Sequence, residues 1–239
     1  MKRYYFSFTS ILFAVFALAL TGCGDGAGGG DGKLKGLIGT GPVTGGPNPT
    51  SYPGYLGETL TLSGRVYTSD WEYYYYIPYT GENLTVNSNA GATGVIIDGQ
   101  LSFTAGTPPT VPAAQVFSWL NERYNNVQIS PSNTQCMILE MELSVPNSYE
   151  SGPYRGKNTH STSEDVSYIY TDRNVTVSGL GKTFLDWGNI YTSSNLNLNL
   201  NKGWSALYCK EDWTLADSAT INVTLDNPPH LYWKVNIHK

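Results

Sequence analysis

Two stretches of the chain alternate apolar and polar residues with the two-residue period of a β-strand. In Asn195-Leu-Asn-Leu-Asn-Leu-Asn201 the leucines share one face and the asparagines the other. In the segment 137–143 the odd positions form the apolar face, namely Met137, Leu139, Met141 and Leu143. Alternation of this kind is typical of antiparallel sheets with one face on a core, so it predicts strands of a sandwich or a barrel.

Most of the chain after residue 58 follows a β pattern, because Thr, Val, Tyr, Ile and Asn dominate and turn residues recur about every 8–12 positions. One short helix is predicted near 113–124, where Pro112 stands at the start and Val116, Phe117 and Leu120 lie on one side. The predicted strands are 59–67, 72–79, 84–86, 94–98, 101–104, 135–145, 166–170, 175–178, 195–201, 203–209, 220–225 and 231–237. The fold class is therefore predicted to be all-β and antiparallel.

The segment 70–79 contains four consecutive tyrosines. In a strand its odd positions, from Trp71 to Ile77, form the better core face, and its even positions leave Tyr74 and Tyr76 beside Glu72. Tyrosine has high β propensity, which explains a core strand, but its flat ring and polar tip also suit binding surfaces. Both interpretations stay open. The candidates for a face that binds sugar rings or a protein are Trp71, Tyr74 and Tyr76.

The first 22 residues have the pattern of a secretory signal peptide. Lys2 and Arg3 precede a mostly apolar stretch, residues 4–20, and small residues follow it. The apolar stretch is about 17 residues long, which is shorter than the ~20 residues of a comfortable membrane span.

The sequence Leu20-Thr21-Gly22-Cys23 resembles the lipobox of bacterial lipoproteins. The resemblance implies that residues 1–22 are removed and that Cys23 carries a diacylglyceryl group on its sulfur and a fatty acid, such as palmitate, on its amine. More than one buried chain gives a stable membrane anchor. In some bacterial lineages an Asp directly after the lipidated Cys retains the lipoprotein in the inner membrane. Residue 24 is Gly in this sequence, so the resemblance favours the outer membrane over the inner membrane. Which leaflet of the membrane carries the protein stays open.

Residues 23–57 are rich in Gly and Pro and poor in large apolar residues, which predicts a disordered, flexible tether. The folded part is predicted to form an N-terminal β module, 58–112, and a C-terminal β module, 113–239, or one continuous domain, 58–239. Cleavage before Cys23 leaves 12 basic and 19 acidic side chains, a net charge of −7 with histidine neutral. This balance argues against nucleic acid as a partner, since nucleic-acid binding requires clustered Lys and Arg.

Two cysteines remain in the folded part, Cys136 and Cys209. An exported chain with two cysteines predicts one disulfide, which would close a loop of 73 residues and stabilise the fold by roughly 4 kcal/mol. Two buried free thiols are the alternative.

The segment 63–104 is similar to the small transthyretin-like sandwiches of carboxypeptidase-regulatory type. The similarity rests on Ser63-Gly64-Arg65-Val66-Tyr67, on Asn83-Leu84-Thr85-Val86 and on the hairpin Asp98-Gly99-Gln100-Leu101-Ser102-Phe103-Thr104. The aromatic insertion at 71–79 departs from that pattern. The resemblance implies a spacer or binding module, so the predicted sandwich is of immunoglobulin-like or transthyretin-like type.

No arrangement in the sequence predicts a catalytic or metal site. Glu140 and Glu142 fall on one face of a predicted strand, as paired carboxyls of a glycosidase would, but alternating Glu is usual on a solvated β face. His160, His230 and His238 lie in polar or terminal segments without metal-ligand spacing. We therefore expect no cofactor and no metal.

These observations predict a lipid-anchored envelope protein whose β modules bind protein or carbohydrate without catalysis. A structural or assembly lipoprotein that faces the periplasm is the second prediction. A glycan-acting hydrolase is the third.

Overall fold

A computed structural model describes residues 53–70, 75–144, 151–159, 161–186, 188–215 and 217–236, and all of these belong to one compact unit, Thr40–Lys239. The predicted signal peptide, Cys23 and the tether before residue 53 lie outside the described residues. Within the described part of the chain there are nineteen strands and two short helices. In chain order they are β1 (Tyr55–Gly57), β2 (Leu60–Asp70), β3 (Tyr75–Pro78), β4 (Leu84–Ser88), β5 (Thr93–Ile97), β6 (Gln100–Ala105), β7 (Val111–Pro112), α1 (Ala113–Val116), α2 (Leu120–Arg123), β8 (Tyr124–Ser130), β9 (Gln135–Ile138), β10 (Met141–Ser144), β11 (Ser151–Asn158), β12 (Thr162–Thr171), β13 (Val175–Gly181), β14 (Thr183–Asp186), β15 (Asn189–Ser193), β16 (Leu196–Leu200), β17 (Gly203–Leu215), β18 (Ser218–Leu225) and β19 (Tyr232–Asn236).

The all-β class predicted from the sequence is confirmed, and the strands form two sheets. The larger sheet has the order β10-β4-β5-β6-β2-β19-β11-β12-β17-β18-β15-β14, with β3 beside β2, β1 beside β17, β9 beside β12 and β7 beside β9. The smaller sheet has the order β16-β13-β8. Among the described pairs, β2 with β19 and β15 with β18 are parallel, and the others are antiparallel. Strands from both predicted modules pair directly, as β4 does with β10 and β2 with β19.

Strand β2 joins two halves of the larger sheet. Its first half, Leu60 to Arg65, pairs with β6, and the next residues, Val66 to Thr68, pair with β19. Gly64 lies where the pairing partner of β2 changes from β6 to β19, and its φ is +145°. A Cβ at this position would lie 3.0 Å from the ring of Trp233. A residue without a side chain is therefore favoured where the strand passes from one half to the other. We call β10, β4, β5 and β6 the outer half and β19, β11, β12 and β17 the central half.

The main core lies between these two halves, as in a sandwich. Its buried residues come from alternate positions of strands in both halves, as the pleat requires. The predicted apolar face of 137–143 belongs to this core, with Met137 and Leu139 buried and Met141 and Leu143 packed against it, so that prediction is confirmed. The other members include Leu62, Val66, Val86, Ile96, Leu101, Phe103, Tyr168, Trp204, Ala206, Trp233 and Val235.

The opposite face of the central half is also buried at one end. Ile169, Leu207 and Val223 occupy the alternate positions there, and β16 of the smaller sheet lies beside β18. The leucines of 196–200 are buried and the asparagines between them are exposed, which confirms the alternation predicted for 195–201. The other end of this face carries the residues discussed below.

Three local predictions differ from the structure. The predicted strand 135–145 is two strands, because the chain leaves the edge of β12 after Ile138 and pairs with β4 from Met141 onward. The predicted helix 113–124 is two turns, α1 and α2, and Tyr124 already begins β8. Strand β1 pairs with β17 inside the last residues assigned to the tether. No helix among the described residues is both long and apolar enough to cross a membrane.

Candidate ligand-binding face

Four tyrosines from four neighbouring strands lie on the face of the sheet that is turned away from the main core. Val66 and Trp233 are buried in that core, so Tyr67 and Tyr232, which follow and precede them, point to the other side. Tyr154 on β11 is the register partner of Lys234, which shares this side with Tyr67. We call the set Tyr67, Tyr76, Tyr154 and Tyr232 the tyrosine face.

Three of the four rings of the tyrosine face contact one another. The ring centroid of Tyr232 lies 5.1 Å from that of Tyr67, in an edge-on arrangement, and 5.4 Å from that of Tyr76, in a tilted one. All of these side chains are half-buried. Aromatic pairs at such distances stabilise each other by roughly 0.5–1.5 kcal/mol beyond their burial. The rings therefore hold fixed orientations while part of each remains accessible to solvent.

Tyr76 is fixed further by its hydroxyl group. The backbone N–H of Asn158 donates to Tyr76 Oη at 2.7 Å, and Tyr76 Oη donates to the carbonyl of Asn158 at 3.4 Å. Burial raises the pKa of Tyr76, and the hydrogen bond from Asn158 opposes that rise. The hydroxyl is thus a neutral anchor between β3 and the end of β11.

A buried ammonium lies beneath the tyrosine rings. Lys234 on β19 is only 1% exposed, and its Nζ lies 4.8 Å from the ring centroid of Tyr154 and 5.2 Å from that of Tyr76. An ammonium over an aromatic ring is attracted by the negative face of the ring. Burial lowers the pKa of Lys234 to about 8, because desolvation disfavours the charged form, and the charge of Asp165 opposes this shift.

Asp165 on β12 is the acidic residue that the strand register places nearest to Lys234 and the tyrosine rings. It pairs with Gly156, which in turn pairs with Tyr232, so Asp165 shares the tyrosine face. Burial raises the pKa of Asp165, the charge of Lys234 lowers it, and the charge of Glu164 raises it further. The face therefore presents flat apolar rings above a buried cation and a buried carboxyl group, and such rings suit ligands that have apolar ring faces.

Of the three predicted binding residues, Trp71 and Tyr74 lie outside the described residues and Tyr76 lies in the tyrosine face. The prediction that the odd positions of the segment 70–79 face the core is wrong at Ile77, whose side chain is 55% exposed. Strand β3 pairs only with residues 67–70 of β2, beyond Val66, the last residue of β2 in the main core. At this edge of the sheet the side of Tyr76 is the packed one.

The predicted disulfide is wrong, because Cys136 and Cys209 are both free and buried. They lie on strands at opposite edges of β12, where Cys136 pairs with Thr171 and Cys209 with Asp165. Six residues of strand separate those partners, which is roughly 20 Å at ~3.3 Å per residue, whereas a disulfide needs Cα atoms within about 7 Å. Burial raises the pKa of both thiols, that of Cys136 to about 12.

The residues considered for catalysis do not converge on the tyrosine face. Glu140 lies in the crossing between β9 and β10, and its pKa is raised by burial and then by the charge of Glu142, which is exposed on β10. His230 Nε2 lies 2.5 Å from Glu164 Oε2, at hydrogen-bond distance, and His160 and His238 lie outside the described residues. Within the described part of the chain, no three His, Cys, Asp or Glu side chains are grouped so that they could hold a metal ion.

Sequence reasoning missed Tyr67, Tyr154, Tyr232 and Lys234 as members of one site. The available signal was Leu231-Tyr-Trp-Lys-Val235, in which a lysine interrupts an apolar strand. A lysine is almost never fully buried unless it has partners, so such a position indicates partners on adjacent strands. Which strands are adjacent cannot be read from the sequence.

No protein-family model, no curated protein and no solved structure matches this chain.

Proposed function

We propose that this protein is a lipid-anchored bacterial envelope protein that binds carbohydrate through the tyrosine face, without catalysing a reaction. The anchor is inferred from the resemblance of residues 20–23 to a lipobox, with Cys23 as the lipidated residue. The outer membrane is the proposed location, on the argument from Gly24 given above. The anchor and the binding face are separate parts of the proposal and are tested separately.

The observation that carries the binding proposal is the cluster of four half-buried tyrosine rings, two of which, Tyr76 and Tyr154, cover the ammonium of Lys234. Sugar rings present apolar C–H faces that pack on tyrosine, while their hydroxyls bond to polar groups at the edge. The ring contacts of Tyr232 with Tyr67 and Tyr76 keep the rings in place before a ligand arrives, which lowers the entropy cost of binding.

Binding can be tested with the full-length protein, extracted from membranes in detergent and applied to a glycan array. A carbohydrate that binds the wild type should lose about tenfold in affinity in Tyr232→Ala, for a loss near 1.4 kcal/mol. Tyr191→Ala is the matched control, since Tyr191 is also half-buried and stacks on Phe184, but lies on β15 outside the tyrosine face. Equal affinity of Tyr232→Ala and wild type, or no glycan binding, would contradict the proposal.

The anchor can be tested by growing cells with a labelled fatty acid. The wild type should carry label and remain in the membrane fraction, whereas Cys23→Ser should do neither. Equal labelling of both proteins would exclude lipidation at Cys23.

A second candidate function is a structural or assembly lipoprotein that faces the periplasm and contacts another envelope protein. It is favoured by the hairpin of β14 and β15, where Leu185 is 75% exposed and its register partner Ile190 is 43% exposed. β14 is also the last strand in the order of the larger sheet. Crosslinking in intact cells would support this function if one envelope protein is captured by the wild type and not by Leu185→Asp.

The third prediction, a glycan hydrolase, receives less support. Glu142 is exposed, and Glu140 precedes β10 in the crossing between the two halves of the sheet. A hydrolase needs two carboxyl groups that face one bound sugar. The geometry of Glu140 and Glu142 therefore favours binding over hydrolysis.

A further inference from the structure

Lys234 is buried without an ion pair to balance it at contact distance in the described part of the chain. By contrast, Lys210 and Asp212 form a 2.8 Å ion pair in which both side chains are about one-third exposed. Taking a charged amine out of water is costly, and a buried lysine meets that cost by pairing, by losing its proton or by reacting. The surroundings of Lys234 decide among these outcomes.

The amine of Lys234 and the carboxyl group of Asp165 both lie next to Gly156, a residue that has no side chain. A Cβ built on Gly156 would lie 2.5 Å from Asp165 Oδ1 and 3.3 Å from Lys234 Nζ. Both reactive atoms thus border the same small space over β11, between β19 on one side and β12 on the other.

The surroundings favour the uncharged forms of both groups. Burial lowers the pKa of Lys234 to about 8 and raises the pKa of Asp165, so burial favours the neutral form of each group. A neutral amine is a nucleophile, and a protonated carboxyl group can release its hydroxyl as water. The rings of Tyr76 and Tyr154 cover Nζ, which limits the access of water that would reverse the reaction.

We propose that Lys234 and Asp165 form an intramolecular isopeptide bond that joins β19 to β12 across β11. The lone pair of Nζ attacks Cγ of Asp165, the new C–N bond forms and the C–OH bond breaks. One amine proton transfers to the departing hydroxyl, so that one water molecule leaves and no oxidant or reductant takes part. The fold holds the two groups side by side, so the reaction does not need a random encounter between them. The entropy cost of such an encounter is a large part of the barrier to a condensation in solution.

The bond would join residues 69 positions apart along the chain and would link β19 to β12 across the intervening strand β11. It would prevent β19 from separating from β12 when the protein is pulled or heated. The bond would replace the ammonium of Lys234 and the carboxyl group of Asp165 by one neutral amide, while the four tyrosine rings of the proposed binding face would stay in place.

The test is a tryptic digest of the full-length protein purified from membranes, analysed by mass spectrometry. The bond predicts one branched peptide in which residues 158–173 are joined to residues 211–239, uncleaved after Lys234 and lighter than the two linear peptides by one water molecule. Fragment ions must place the link between Asp165 and Lys234. The exposed pair Lys210 and Asp212 is the internal control, and cleavage after Lys210 shows that proximity alone does not form the bond.

Lys234→Arg keeps the positive charge but replaces the amine, and it should give only linear peptides. If this variant fails to fold, the peptides of the wild type alone show whether the bond is present. Linear peptides 158–173 and 211–234 from the wild type, in amounts equal to other peptides, would overturn the proposal. A link from Lys234 to a residue other than Asp165 would overturn it as well.

Discussion

The hydroxyl of Tyr76 and the backbone of Asn158, 82 positions apart along the chain, are joined by a hydrogen bond in each direction. The bond of 2.7 Å from the Asn158 N–H is the shorter of the two. Strand β3 pairs with β2 alone, so this contact ties the edge of the tyrosine face to β11. The orientation of Tyr76 therefore depends on its hydroxyl as well as on its ring.

Removal of this hydroxyl should destabilise the protein modestly. In Tyr76→Phe the Asn158 N–H loses its partner, and we expect the free energy of unfolding to fall by about 1 kcal/mol. Denaturant titration measures the change. Tyr67→Phe is the control, since the Tyr67 ring packs on Tyr232 and should tolerate the loss of its hydroxyl within about 0.5 kcal/mol. Equal losses in the two variants would argue against the hydrogen bond as an anchor.

A side chain at Gly156 should not be tolerated. In Gly156→Ala the new Cβ would stand 2.5 Å from both Asp165 Oδ1 and the carbonyl oxygen of Glu164, so β11 and β12 must shift. We expect a loss of about 1–3 kcal/mol in the free energy of unfolding. Gly106→Ala is the matched control, because a Cβ there has no neighbour within 4 Å. A melting temperature for Gly156→Ala equal to that of the control would show that the space above Gly156 is not needed.

Arg155 should be important for the segment before β19. Its buried guanidinium donates to the carbonyl of Pro228 at 2.7 Å and to Asn227 Oδ1. Arg155→Met leaves these acceptors without their charged donor, and we expect a loss of about 2 kcal/mol, measured by denaturant titration. Arg173→Met removes a solvent-exposed pair with Asp172 and should leave the melting temperature nearly unchanged. If both variants behaved alike, Arg155 would not be holding this segment.

Glu211 should give the stability a pH dependence. Burial raises its pKa to about 7, with Arg123 opposing and Asp165 and Asp186 adding to the rise. Between the ordinary value of 4.5 and about 7 the folded protein binds more protons than the unfolded chain, so stability falls as pH increases through this range. Unfolding measured from pH 4.5 to 7.5 should show the decline in the wild type.

Glu211→Gln is neutral at every pH and should lose the part of this slope that Glu211 causes. It should also be more stable than the wild type at pH 7.5, by about 1–2 kcal/mol after allowance for its partial exposure. Glu82→Gln, an exposed change between β3 and β4, is the control and should keep the decline. An unchanged slope in Glu211→Gln would assign the pH dependence to other groups.

The sequence predicts best those features that depend on local alternation. The leucines of 196–200 and the face containing Met137 and Leu139 are buried as expected, because the two-residue period alone decides which side faces a core. The break after Ile138 was not predicted, since the same alternation continues while the chain changes its pairing partner from β12 to β4.

Features that depend on pairing between distant strands could not be read from the sequence. The disulfide prediction used only the number of cysteines. The positions of Cys136 and Cys209 are set by their pairing with Thr171 and Asp165 on opposite edges of β12. Ile77 is exposed because its strand, β3, lies at an edge of the sheet beside β2. Lys234 lies near Tyr154 because β19 and β11 are neighbouring strands. Composition indicated a tyrosine-rich surface, and register determined which tyrosines form it.

The parallel pairing of β2 with β19 also has a kinetic consequence. Trp233 Nε1 donates to the carbonyl of Ser63, a contact between residues 170 positions apart. Contacts so distant along the chain form late and slow the folding of β proteins. During synthesis, the part of β2 from Val66 to Thr68 therefore presents an unpaired edge until β19 has emerged, and such an edge is prone to pair with other chains. Efficient production of this protein should depend on a chaperone that shields β2 until β19 arrives.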